Sequence, residues 1–94
     1  MLDKIKEVLR ITTDDFDQEI SDLIEACRSD LKLSGVSQTK INRDTDPLIK
    51  RAVSVYCKAH FGFDNPDFDK LTQSYDSIKK EMVISSEYTT EVSV

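Results

Sequence analysis

The sequence predicts an all-α protein, a small bundle of about four helices with an extended or disordered C-terminal tail. Three observations carry this. Apolar residues recur at spacings of three and four through most of the chain. Gly and Pro number two each, too few for a turn-rich β-sandwich. The helical segments are also punctuated: Asp46-Pro47 and Asn65-Pro66 read as helix starts, Gly35 and Gly62 as stops.

At 94 residues the chain suits one small domain rather than two. Its net charge of −5 argues against wholesale binding to DNA or to an anionic membrane, while leaving room for a local basic stripe. No apolar run approaches a membrane span, and the opening Met-Leu-Asp-Lys-Ile-Lys has no signal-peptide core. The expectation is a protein made and used inside a cell, or built into something assembled there. Cys27 and Cys57 fall on apolar helix faces, which favours buried reduced thiols over a disulfide.

The central element is predicted over 46–61. Asp46 can accept from a free N–H of the first turn, and Pro47 sits where its missing donor costs nothing. Leu48, Ile49, Ala52, Val53, Tyr56 and Cys57 share one side, an arc broad enough for two or more neighbours. Lys50, Arg51, Ser54 and Lys58 form a narrow polar stripe opposite. Before it, Leu2, Ile5, Val8 and Leu9 predict a short amphipathic helix over 2–10, too short to stand without docking. Thr13 and Asp14 offer capping oxygens to a second helix over 15–33, with its apolar stripe at Phe16, Ile20, Leu23, Ile24, Cys27 and Leu31. Asp14, Asp15, Asp17 and Glu19 at its start, and Arg28 and Lys32 towards its end, match the helix dipole. Residues 34–45 read as a long polar loop with Val36 and Ile41 as anchors. A fourth helix, 66–82, carries a narrow seam of Phe68, Leu71, Tyr75, Ile78 and Met82 and is expected at the periphery. Residues 83–94 are rich in Ser, Thr and Val, and as a lone strand would need another molecule's edge or groove.

The residues that carry chemistry are not grouped for catalysis. His60 has no nucleophile or carboxylate at a spacing that would pair with it, and reads as a core or boundary residue. Cys57 and His60 are one turn apart, but four zinc ligands in recognisable pairs are lacking. The Asp14, Asp15, Asp17 run lacks the glycine and terminal glutamate of a calcium loop, and no glycine-rich phosphate loop occurs. The expectation is a non-enzyme without a cofactor or metal. Three surfaces are then candidates for interaction. They are the basic stripe Lys50, Arg51 and Lys58, the acidic outer face Asp15, Glu19, Asp22 and Glu25, and the tail with Ile84, Glu87, Tyr88, Val92 and Val94. Each also has a plainer reading, as solvated helix faces and a frayed terminus. Opposite-sign faces on different helices can meet head to tail between copies.

The ordered set LDKIKEVLRITTDDFDQEISDLIEACRSDL, DPLIKRAVSVYCKAHFGFDNPD and YDSIKKEM, spanning residues 2 to 82, resembles the phage head–tail connector, or adaptor, proteins of tailed phages and Gram-positive prophages. The resemblance implies a connector domain over 1–82 and a tail, 83–94, ordered on assembly. It implies a virion protein, present in the host cytoplasm during assembly, with no catalytic activity. About a dozen copies would form a ring under the portal, extending the DNA channel and receiving stopper or tail proteins. DNA would pass through without sequence-specific binding, and no membrane is involved. The tail would help grip the portal.

Two other classes compete. A helix-turn-helix regulator needs a shorter turn than residues 34–45 provide, although Lys50 and Arg51 fall near the start of a candidate recognition helix. A small inhibitor or chaperone of a host enzyme is the other. Salt-dependent DNA binding marks the first, and one-to-one binding to a host enzyme the second.

Overall fold

The computed structural model describes residues 1–62 and 64–90. These form α1 (Leu2–Leu9), α2 (Asp17–Ser34), α3 (Gln38–Ile41), α4 (Pro47–His60), α5 (Phe68–Val83) and α6 (Ser86–Thr89). The four longer helices are the four expected from periodicity, and the fold is all-α among the described residues.

Helix α4 is the centre. Asp46 Oδ1 accepts from the N–H groups of Leu48 and Ile49 at 3.0 and 3.1 Å, so the predicted cap and the Pro47 start hold. Ile49, Ala52, Val53 and Cys57 are fully buried. The broad arc is used as expected: α4 packs most extensively on α5, then on α2, and also on α1. The helix ends at His60, with extended Phe61 donating its N–H to the Cys57 carbonyl. Gly62, expected as the stop, only follows it at φ +87°, in the left-handed region.

Helix α1 docks through Ile5, and Lys6 reaches Asp14 and Asp17, each at 2.8 Å. Its hydrogen bond to Lys6 holds the Asp14 carboxyl below the usual range. The expected side-chain caps on the second helix do not form, its N-cap being Phe16 without a side-chain bond. Thr13 Oγ1 accepts from Asp15 N–H, the backbone carbonyl of Asp14 from Asp17 N–H, and the Asp14 carboxylate goes to Lys6 instead. These contacts shape a turn, and α2 itself begins at Asp17. It ends as predicted at Gly35, φ +113°, with Gly35 and Val36 N–H bonded to the Lys32 and Leu31 carbonyls.

Helix directions follow from the contacts. Cys27 lies beside Tyr75, and Asp30 takes Tyr75 Oη at 2.6 Å and Lys79 Nζ at 3.0 Å, so α2 runs parallel to α5. His60 stacks edge-on with Phe68 and Tyr56 with Tyr75, so α4 is antiparallel to α5. Phe16 at the start of α2 meets Phe61 at the end of α4, with ring centroids 5.6 Å apart. As expected of its narrow seam, α5 buries Tyr75, Ile78 and Met82 on one side only.

Three segments differ from the sequence expectation. Residues 34–45 are not simply a loop, because Ser37 caps α3 by accepting from Lys40 N–H. The two expected anchors, Val36 and Ile41, are 2% and 0% exposed. Asn65 does not cap a helix starting at Pro66. It accepts from Asp67 N–H at 3.0 Å and sends its amide back to the Lys58 carbonyl at 2.6 Å, while α5 starts at Phe68. At residues 83–90 the chain turns and forms α6 against its own bundle. Ser37 N–H donates to the Tyr88 carbonyl at 2.7 Å, and Tyr88 Oη donates to Asp46 Oδ1 at 2.9 Å. An intramolecular seat therefore replaces the foreign edge that residues 83–90 were expected to need. Val92 and Val94 lie outside the described residues.

Candidate assembly surfaces

The inner face of α2 is Ile20, Ile24, Cys27 and Leu31, all buried. The helical period then turns Glu19, Asp22 and Glu25 outward, and all three are exposed. Asp15 is exposed in the turn before the helix. Asp22 accepts from the Gln18 amide at 2.9 Å and Glu25 pairs with Arg28 at 2.9 Å, local contacts worth little in water.

On α4 the outward stripe is Arg51 and Lys58, both exposed, with Lys50 half-buried beside them. None of the three forms an ion pair among the described residues. Because α2 and α4 meet through their inner faces, the acidic and basic faces point away from each other. One chain does not bring them together. Arg51 also lines an open groove of about 370 Å³ between α4 and α5, with Leu48, Ile78 and Glu81 towards one end and Lys70 towards the other.

The tail residues divide. Ile84 is 79% exposed. Glu87 reaches Lys40 at 3.5 Å, and Tyr88 is buried under the Lys40 ammonium, 5.1 Å from its ring centroid. Sequence reasoning missed Leu33, which is 88% exposed at the end of α2. The signal was present: Leu33 follows Asp22 by eleven positions, three helical turns, and so shares its outward side.

The buried polar groups are held neutral. Burial pushes both the Cys27 and Cys57 thiols up to about 12, where they are poor nucleophiles at neutral pH. Burial and the hydrogen bond to Asp30 push the Tyr75 phenol upward as well. Among the described residues no group of three His, Cys, Asp or Glu side chains could hold a metal ion. No helix among them is long and apolar enough to cross a membrane.

What the molecule offers is a compact helical body with charged faces of opposite sign on separate sides. A family profile described as phage connector protein matches residues 1–89, nearly the whole chain. The chain belongs to the phage connector protein family. This agrees with the resemblance seen in the TTDDFD, DPLIKR and FDNP segments. Searches of curated proteins and of solved structures return no match. Family membership gives the chain a structural, connecting role among phage virion proteins.

Proposed function

We propose that this phage connector protein is a head–tail adaptor that assembles as a ring under the portal. The ring extends the DNA channel and presents a platform to stopper or tail proteins, and the chain performs no catalysis. The family match over residues 1–89 carries this reading. The surface supports it in a specific way. The acidic face Asp15, Glu19, Asp22 and Glu25 and the basic stripe Lys50, Arg51 and Lys58 lie on different sides of one body. Surfaces that differ and complement each other form heterologous contacts, which close into rings when the rotation allows. The outer end, with Ile84 exposed and residues 91–94 following α6, is the part of the chain assigned to portal contact. The assembled protein belongs to the virion, and the host cytoplasm is where it joins.

The test is to reverse the basic stripe. Arg51→Glu with Lys58→Glu should leave the fold intact, because both side chains are exposed, and should remove the protein from gradient-purified particles. Restoration by Asp22→Lys with Glu25→Lys completes the test. Normal incorporation of the reversed protein contradicts the ring contact.

A further inference from the structure

We infer that the outer stripe of α2 from one copy seats in the α4–α5 groove of the next, with Leu33 as the knob that enters between Leu48 and Ile78. The inference rests on the ring reading and adds its interface, register and direction.

Leu33 is the most exposed large apolar side chain among the described residues. Preceding it on the same outward side are Ser29 and Ala26, both exposed and small, and then Asp22. Small residues there let a neighbouring helix approach closely. Along the stripe the order is therefore acidic, small, apolar, with Lys32 flanking the apolar end. The groove has the complementary order. Leu48, Ile78 and Glu81 cluster where α4 begins and α5 ends, Arg51 follows, and Lys70 stands towards the other end, with Lys58 exposed on α4 two turns beyond Arg51 and outside the groove lining.

The spacings agree. At 1.5 Å per residue, Asp22 and Leu33 are about 16 Å apart along α2, and Leu48 and Lys58 about 15 Å apart along α4. Laid antiparallel to α4, the stripe places Leu33 on Leu48 and Ile78, Lys32 on Glu81, the small Ser29 beside Arg51, and Glu25 and Asp22 near Lys58 and Lys70. Laid the other way, it sets Lys32 against Lys58 and Lys70, and Asp22 against Glu81. Like charges so placed oppose that orientation.

The direction has a consequence for symmetry. Within one chain α2 already runs antiparallel to α4, as the Phe16–Phe61 contact and the α5 pairings require. A neighbour's α2 lying antiparallel to this α4 thus points the same way as this chain's own α2. All copies then share one direction, as rotation about an axis parallel to the helices demands. The stripe and the groove are different surfaces, so the contact is heterologous and repeats around that axis.

The experiment is a cross-link in particles of the parent phage carrying Leu33→Cys and Ser77→Cys together. Both positions are exposed, and the native Cys27 and Cys57 are buried away from them. Mild oxidation should give a ladder of covalent multimers on a non-reducing gel, and either single variant should give none. A ring seen in the particles without a ladder overturns this interface and leaves the ring reading standing. Particles that hold the protein but no ring overturn both. As a second arm, Lys32→Glu should weaken incorporation about tenfold, and Glu81→Lys should restore it. Failure of that restoration overturns the register.

Discussion

Two positions in this chain carry the same start signal and use it differently. At Asp46-Pro47 the carboxylate caps two N–H groups, and the helix begins at Pro47. At Asn65-Pro66 the side chain serves two masters. Its oxygen accepts from Asp67 N–H, while its amide reaches back to the Lys58 and Ala59 carbonyls, the orphan acceptors at the end of α4. An aspartate cannot donate, so Asp46 can only accept, from the first turn of α4 and from Tyr88 Oη, and cannot reach back to orphan carbonyls. Asn65 follows α4 by five residues, within reach of its unsatisfied carbonyls, and ties the end of one helix to the approach of the next. The lesson is that a cap residue is chosen by every orphan group within its reach, upstream as well as downstream.

The substitutions that break this pair rank by what each removes. Asp46→Ala strips the cap from the central helix and leaves Tyr88 Oη without its acceptor, so it should cost about 2–3 kcal/mol in urea unfolding. Asn65→Asp keeps the oxygen for Asp67 N–H but deletes the amide donor and sets a negative charge at a helix C-terminus. It should cost about 1–1.5 kcal/mol by the same assay. Tyr88→Phe keeps the cap and the packing of α6, and removes only the phenol bond to Asp46, for about 1 kcal/mol. Asp46→Asn retains an equally good capping oxygen and a neutral acceptor for Tyr88, and should cost about 0.5 kcal/mol or less.

The same contact has a pH signature. Burial, then the hydrogen bond to Asp46, pushes the Tyr88 phenol from 10.0 up to about 12. The fold favours the neutral phenol, so its contribution is whole below pH 10 and is lost as pH rises from 10 to about 12. Cys27 and Cys57, raised from 9.0 to about 12, begin the alkaline decline earlier. Melting temperatures taken from pH 9 to 12 should fall, and should fall less steeply above pH 10 in Tyr88→Phe. Parallel curves for the two proteins would contradict the assignment.

Much of this was readable from the chain. The 3.6-residue period gave the inner faces of α2 and α4, and with them the outward charged residues. Gly35 and Asp46-Pro47 marked their helix ends because those signals are local. The rest depended on partners far away in sequence. The seat of α6 is made by Ser37 N–H and by Asp46, which no periodicity in Ser86–Thr89 announces. Helix α3 is one turn long, held by Ser37 and by burial of Val36 and Ile41, and is too short to show a period. Of the candidate surfaces, the charged stripes were visible, and Leu33 was visible too once counted from Asp22. The groove that would receive it was not, since a groove belongs to two helices and to the angle between them.

The most direct test of the central claim is electron microscopy of lysates from the parent phage with this gene deleted. The account predicts DNA-filled or emptied heads and unattached tails accumulating separately, with intact virions restored by the gene supplied in trans. Intact tailed virions in the deletion lysate would contradict it.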